Sequence, residues 1–297
     1  MDLAVTPGYR ALRESAAWID LSSRGKIRMS GEDRARLLHA MCTNHIEQLK
    51  PGDGCYAFFL NAQGRILADA NILCFEDHFL LDTEPETRDT LLEHLDRYII
   101  ADDVVLEDVT ERLTTIAIEG PQAARAIGAA ELRPYGWTTR QGSRIVARLN
   151  TTGSDGFFII APRSERIELD IPQASPAEAR VVRIENGLPR YGEEITERHL
   201  VAETDQMRAV HFNKGCYLGQ EIVERVRSRA QIHRILRRVE IDTKHPPSAG
   251  LKADHAEIAS AVFSPALEKT VALAYVKTQF ADPGSEFQIA GAAARVF

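Results

Sequence analysis

The sequence has few cysteines, no excess of positive charge and no long apolar run. Its 297 residues include four cysteines, none of them in a C-x-x-C pair, which argues against a disulfide scaffold and a standard zinc knuckle. Asp and Glu outnumber Lys and Arg by 43 to 36, so the net charge of −7 does not favour binding to duplex nucleic acid. No apolar stretch approaches the ~20 residues that cross a bilayer, and the first residues lack the pattern of a secretory signal. We therefore expect a cytoplasmic protein with reduced thiols and no membrane partner.

What is present is typical of an α+β protein. Hydrophobic residues make up 44% of the chain and charged residues 27%, and the length favours two or three folding units. Residues 1–110 predict one lobe: a helix that begins with a capping box at 30–33, a hairpin with its loop at 61–64, and a helix that begins at 83–86. Residues 111–232 predict a second lobe of similar make-up, and 233–297 a small β-barrel of short strands broken by prolines. We expect antiparallel sheets in both of the first two lobes.

Two local signals in the second lobe are specific. A capping box at Ser175 predicts the start of a helix, and Gly187 predicts its left-handed stop. Glu185 then falls at the C-terminal end of that helix, where the dipole disfavours negative charge. A carboxylate in such a place is suited to binding a flat heterocycle with adjacent N–H donors. The alternative is a solvent-exposed glutamate without a function.

The densest motif is K-G-C-Y-L-G-Q-E at residues 214–221. Its glycines predict a tight turn into a helix, which places Cys216 near the helix N-terminus and two residues from Lys214. Both features favour the thiolate, so Cys216 is a candidate reactive cysteine. From spacing alone, a buried structural thiol is the favoured alternative.

Two further features carry candidate polar residues. Asp69 lies on the returning strand of the hairpin among apolar neighbours, where carboxylates are under-represented. Its alternative is a position on the solvent face of that strand. A cluster of arginines at residues 225–238 could hold a polyanion such as a glutamate tail or RNA phosphate. Its alternative is a solvated face partly neutralised by Glu221 and Glu224.

Taken together, these motifs resemble the YgfZ family, a branch of the glycine-cleavage T-protein (aminomethyltransferase) superfamily. Residues 214–221 match the K-G-C-[FY]-x-G-Q-E signature at all seven specified positions. Residues 183–192 resemble R-[IL]-E-x-G-x-P followed by Tyr-Gly, and 43–45 resemble T-N-D with histidine in place of aspartate. Residues 264–267 and 272–276 resemble the S-P-x-L and A-x-x-Y-V elements of the C-terminal barrel. The resemblance covers nearly the whole chain.

The resemblance implies a cloverleaf of three lobes around a central channel that binds tetrahydrofolate or a derivative. It implies that Glu185 holds the pterin ring and that Asp69 is the catalytic aspartate near N5 or N10. Residues 61–69 resemble the T-protein element N-E-x-G-G-I-x-D-D, with arginine in place of the second glycine and alanine in place of the first aspartate. We also expect Tyr191 and Arg225 to contact the cofactor.

The main functional hypothesis is a folate-binding protein that supports assembly or repair of iron–sulfur enzymes and affects tRNA modification only indirectly. Its partners would be iron–sulfur assembly factors or client iron–sulfur enzymes. T-proteins lack this cysteine, so Cys216 separates the two branches. It would act as nucleophile or transient ligand, and Lys214 would lower its pKa. The chain has too few grouped cysteines for a permanent cluster, and we expect no metal site.

Two other functions remain open at this point. The alternative to the main hypothesis is a folate-dependent aminomethyl- or methyltransferase, or a demethylase, in which Asp69 handles the proton. Whether the protein is an enzyme at all depends on this choice. An RNA-interacting module that uses the arginine cluster ranks last, because the net charge of −7 opposes it.

Overall fold

The computed structural model describes residues 5–129, 131–140, 142–229 and 232–297. Its named strands form three five-stranded sheets, and every ladder between them is antiparallel. None of the described helices is long and apolar enough to cross a membrane. The α-helices are α1 (Pro7–Glu14), α2 (Arg34–Met41), α3 (Arg88–Asp96), α4 (Ala123–Ile127), α5 (Pro176–Glu185) and α6 (Gln220–Arg229).

The first sheet contains the predicted hairpin. Asn61 closes its loop, because the Asn61 side chain accepts hydrogen bonds from two backbone N–H groups further along the loop, and Gly64 adopts a φ of +70°. Helices α2 and α3 contribute to the buried cluster on this sheet. In sheet order the strands are β3 (Gly54–Leu60), β4 (Ile66–Cys74), β5 (His78–Thr83), β2 (Gly25–Ser30) and β6 (Val105–Asp108).

The capping box predicted at residues 30–33 is wrong, although the helix itself is confirmed. Asp33 is the N-cap of α2, but its side chain makes no capping hydrogen bond. Its carboxylate instead accepts a hydrogen bond from the backbone N–H of Asp103, at 2.9 Å. A contact between distant parts of the chain has therefore displaced the local cap.

The second sheet takes its first strand from the N-terminal region of the chain. Its order is β1 (Ala17–Asp20), β7 (Leu113–Glu119), β10 (Gly156–Pro162), β9 (Arg144–Ala147) and β8 (Trp137–Arg140). Because β1 belongs to this sheet and β2 to the first, the two lobes are interleaved. The capping box at Ser175 is confirmed, and so is the left-handed Gly187, with a φ of +74°.

The third sheet forms the small C-terminal barrel and has its own buried core. The short apolar runs between prolines predict three of its five named strands, those at residues 234–241, 256–264 and 269–277. In sheet order they are β12 (Ala256–Ser264), β13 (Lys269–Lys277), β11 (Arg234–Ile241), β15 (Ala292–Val296) and β14 (Glu286–Ile289). The predicted fold class, α+β with two sheet-containing lobes and a small C-terminal barrel, is confirmed.

Candidate functional site

A cavity of about 770 Å³ lies between the first and second lobes, and its described lining residues run from Ile19 to Arg208. One wall comes from β3, β4 and the segment after β5, and the opposite wall from β1, α5 and the loop at residues 148–156. A volume of this size is typical of a site for a small molecule. The cavity is therefore the candidate binding site for a small molecule.

Asp69 is the carboxylate that the hairpin carries to this cavity. It lies on β4 and pairs with Phe58 of β3, so Tyr56, two residues before Phe58, lies on the same face of the sheet. The Tyr56 hydroxyl donates a hydrogen bond of 2.7 Å to Asp69 Oδ2. Asp69 is buried, so the alternative of a solvent-facing aspartate is wrong. Burial raises the pKa of Asp69, and the nearby Glu84 carboxylate raises it further, to about 6.

Glu84 belongs to a charge network beside Asp69. The ladder between β4 and β5 ends at the pair Asn71 and Asp82, and Glu84 follows just after β5, close enough for its carboxylate to raise the pKa of Asp69. Glu84 forms ion pairs with Arg24 and with Arg190, the latter at 2.9 Å. Both guanidinium groups lower the pKa of Asp69, against the effects of burial and of Glu84. The proton affinity of Asp69 thus depends on the balance between one carboxylate and two guanidinium groups.

The opposite wall is braced from inside the second lobe. Glu119, at the end of β7, is fully buried and accepts hydrogen bonds from both the backbone and the side chain of Thr151 and Thr152. Thr151 lines the cavity, and Thr152, the next residue, is buried. A buried carboxylate with four donors is well satisfied, and it fixes the shape of this loop.

A third group, at the edge of the cavity, combines aromatic rings with a cation. The Arg208 guanidinium lies 5.0 Å from the centroid of the Tyr56 ring, an arrangement typical of a cation–π contact. Burial raises the pKa of Tyr135, and the positive charge of Arg208 lowers it in part. Tyr135 has a φ of +62°, which is uncommon for a residue other than glycine and often marks a functional position.

Glu185 lies outside the set of described residues that line the cavity. It ends α5 and is buried, so the alternative of an exposed glutamate is wrong. Its Oε1 accepts hydrogen bonds from Tyr9 of α1 (2.7 Å) and Ser264 of β12 (2.6 Å). Its Oε2 lies 3.4 Å from Arg13 and makes no hydrogen bond with the described residues. The carboxylate therefore ties two helices to the barrel, and its binding to a pterin stays a prediction.

The other two predicted cofactor contacts also have neighbours within the protein. Tyr191 is partly buried, and its hydroxyl donates a hydrogen bond to the carbonyl oxygen of Ile66 at 3.2 Å. Arg225 forms an ion pair with Glu221 one helical turn away. Neither is among the described residues that line the cavity, and both contacts with a cofactor stay predictions.

The arginine cluster is largely neutralised by neighbouring carboxylates. Glu221 and Glu224 pair with two of its arginines, as the solvated-face interpretation expects. The other arginines with described side chains pair with glutamates or an aspartate of the second lobe and the barrel. The side chain of Arg229 lies outside the described part of the structure. The described arginine side chains of this segment therefore do not form a strip of unpaired cations that could bind a polyanion.

Cys216 is exposed, so the favoured alternative of a buried thiol is wrong. Helix α6 begins at Gln220, four residues later. Lys214 is buried, and its ammonium donates hydrogen bonds to the carbonyl oxygens of His39 (2.5 Å) and Cys42 (2.6 Å). These carbonyls end α2, where a cation is favourable. Lys214 thus fastens the motif to α2, and its action on Cys216 stays a prediction.

Most of the side chains around Asp69 were not predicted from the sequence. Glu84 lies in the segment interpreted only as the start of a helix, where a short 3₁₀ turn does begin at Pro85. Tyr56 lies in an apolar strand, and only the register of the hairpin brings it to Asp69. Arg208 is far along the chain and belongs to no motif. The alternation of the strand could have indicated Tyr56, whereas the arginines carried no local signal.

Two family models match the sequence. The GCVT N-terminal domain matches residues 1–214, and the glycine cleavage T-protein C-terminal barrel domain matches residues 252–296. Together they cover both interleaved lobes and most of the barrel.

Individual relatives agree with these matches. The aminomethyltransferase of Aquifex aeolicus is 28% identical over 296 residues, which cover 94% of this chain and 81% of the relative. A chloroplastic protein of Arabidopsis thaliana is 28% identical over 254 residues, which cover 80% of this chain but only 59% of the plant protein. The crystal structure of glycine cleavage system aminomethyltransferase T from Bartonella henselae superposes with a TM-score of 0.86 at 22% identity, covering 99% of this chain and 88% of that one. This structural likeness confirms the fold.

Proposed function

The chain belongs to the glycine-cleavage T-protein family by its match over residues 1–214, and from this premise we propose that it is a folate-dependent one-carbon transferase. The observation that carries the proposal is the burial of Asp69 in the cavity, with Tyr56 hydrogen-bonded to it and a pKa of about 6. The relatives named aminomethyltransferase support the same reaction class. The sequence-based alternative is thus better supported than the main hypothesis.

The cavity fits tetrahydrofolate in size and in chemistry. Its volume of about 770 Å³ lies within the range of small-molecule sites, and Tyr56 and Tyr135 supply aromatic surface for flat rings. The Asp69 carboxylate is an acceptor for the N–H groups of a reduced heterocycle. When bound, tetrahydrofolate supplies N5 and N10 as carriers of a one-carbon unit.

Asp69 is suited to take up and return a proton in this setting. A pKa of about 6 lies near neutral pH, so both the carboxylate and the carboxylic acid are accessible. Tyr56 holds Oδ2 through its hydroxyl, which leaves Oδ1 for a ligand. The hydrogen bonds of Thr151 and Thr152 to Glu119 keep the opposite wall in place, which helps to hold a ligand in position.

Calorimetry under anaerobic, reducing conditions tests the proposal. We expect saturable binding of tetrahydrofolate, and we expect a panel of amine donors to include one that yields the 5,10-methylene form. Asp69→Asn should keep binding within a few-fold and lose at least about a hundredfold in turnover, the usual contribution of a general acid–base group. No binding at millimolar ligand would refute the proposal, as would full turnover by the Asn variant.

A second function, support of iron–sulfur enzymes, has one observation in its favour, the exposed thiol of Cys216 in a motif typical of the YgfZ family. The relatives do not add to it. We propose a separate test, in which Cys216→Ala should fail to restore an iron–sulfur enzyme in cells that lack this protein, while its folate binding is unchanged. Full restoration by the Ala variant would refute the role of the thiol.

A further inference from the structure

Six arginines line the cavity, and Arg208 differs from the other five. Each of the five pairs with a carboxylate of the protein, whereas Arg208 has no ion pair among the described residues; the five are Arg24, Arg148, Arg180, Arg183 and Arg190. Arg208 is exposed; its guanidinium lies over the Tyr56 ring and donates a hydrogen bond to the Tyr135 hydroxyl. A guanidinium group that faces a cavity without a carboxylate is available to an anionic ligand.

The backbone that carries Arg208 is held firmly. Its carbonyl oxygen accepts a hydrogen bond from the Asn44 side chain at 3.2 Å. The next residue, Ala209, accepts one from the Thr43 hydroxyl at 2.5 Å. The short 3₁₀ turn Met207–Ala209 is thus fixed to the first lobe through its last two carbonyl oxygens. A side chain on so firm a base loses less freedom when it binds a ligand.

The Tyr56 ring links Arg208 to Asp69. The hydroxyl at one end of the ring bonds to Asp69, and the guanidinium lies over the ring face. An acceptor for N–H groups and a cation without an ion pair among the described residues therefore contact the same aromatic ring. In folate a single p-aminobenzoyl ring separates N10 from the glutamate carboxylates. A molecule with N10 near Asp69 would thus bring its glutamate towards Arg208.

We propose that Arg208 binds a carboxylate of the ligand and makes the cavity selective for folates that carry their glutamate tail. This inference rests on the proposed function. Tyr135 completes the subsite, because its strained backbone holds the phenol beside the guanidinium. The same carboxylate chemistry could come from a separate amino-acid substrate, which the experiment distinguishes.

The test compares tetrahydrofolate with tetrahydropteroate, which lacks only the glutamate. We expect the wild type to bind tetrahydrofolate about tenfold more tightly, the gain typical of one charge-assisted contact. Arg208→Gln should abolish this preference while leaving the affinity for tetrahydropteroate unchanged, and Arg208→Lys should keep part of it. Arg112→Gln, an exposed arginine paired with Glu107 outside the cavity, is the matched control and should behave like the wild type.

Three results separate the possibilities. If the Gln variant keeps the preference, or loses affinity for both ligands equally, the subsite is refuted while the proposed function stands. If the wild type binds neither ligand, the proposed function and the inference fail together. If glutamate alone binds to the wild type but not to the Gln variant, the subsite is supported and its carboxylate comes from a separate amino acid.

Discussion

Removing the charge of Glu84 should make Asp69 a stronger acid. Burial is the largest cause of the raised pKa of Asp69, and the charge of Glu84 is the second. Glu84 also pairs with Arg24 and Arg190, whose positive charges lower that pKa. Glu84→Gln removes the repulsion and one carboxylate partner of each guanidinium group, while Arg24 keeps Asp82 and Arg190 keeps Glu86. The two effects have the same sign, so the pKa of Asp69 must fall towards its ordinary value of 3.8.

The magnitude follows from Coulomb's law. At an assumed separation of about 5 Å, two charges interact by about 1 kcal/mol in water and about 3 kcal/mol at an effective dielectric constant of ~20. Because the cavity is polar, we take the lower half of this range, which corresponds to roughly one pKa unit. Burial remains the larger cause, so the pKa of Asp69 in the variant should still exceed 3.8.

The assay is a titration of side-chain carboxyl carbons by NMR, with Asp69→Asn to assign the signal. Glu86→Gln is the matched control, because Glu86 also pairs with Arg190 but is not a cause of the shift at Asp69. We expect the midpoint to fall in Glu84→Gln and to change little in Glu86→Gln. An unchanged midpoint in Glu84→Gln, or equal shifts in both variants, would show that this network does not control Asp69.

Further predictions concern stability, the hydroxyl of Tyr56, a buried turn and the free thiols. The folded protein keeps the Asp69 proton up to about pH 6, whereas the unfolded chain releases it near pH 3.8. The free energy of unfolding should therefore fall by about 3 kcal/mol as the pH rises between these two values, and the contribution of Asp69 should stay level above them. Urea titrations of Asp69→Asn should lack this fall. Tyr56→Phe should raise the pKa of Asp69 further, because the hydroxyl stabilises the carboxylate; a fall in the NMR midpoint would contradict this. Gly219→Ala should lower the free energy of unfolding in urea by at least about 2 kcal/mol, since φ is +83° and a Cβ would lie 2.7 Å from a carbonyl oxygen. Gly250 has a similar φ but lies in open space, so Gly250→Ala should lower it by about 1 kcal/mol. Equal losses in the two variants would refute the clash. A thiol reagent should modify one cysteine rapidly in the native protein, and Cys216→Ala should remove that reaction; rapid modification of a second thiol would contradict the burial of the other three.

Local chemistry made much of the fold predictable. The hairpin forms around its predicted loop at residues 61–64, and Ser175 caps its helix as expected, because turn formation and capping act over a few residues. The capping box at 30–33 failed because Asp33 has a partner far along the chain. Contacts of that kind leave no trace in a local pattern.

The site divides in the same way. Asp69 could be predicted from a motif, and its surroundings could not, because Tyr56 reaches it through the strand register and Arg190 through the packing of two lobes. The hydrogen bonds of Glu185 with Tyr9 and Ser264 also carry no signal in the motif, and its assignment to the ligand stays a prediction. Family motifs identify which residues matter more readily than they identify what each one touches.

The interleaving of the first two lobes has a consequence for how the chain is made. β1 pairs with β7 in a register that joins Ala17 to Glu119, and β10 then completes the centre of that sheet. On the ribosome the N-terminal strand emerges early and waits without a partner until most of the first lobe has been synthesised. Closing so long a loop is entropically costly and slow. A nascent chain of this protein must therefore shield an unpaired apolar strand from its neighbours for much of translation.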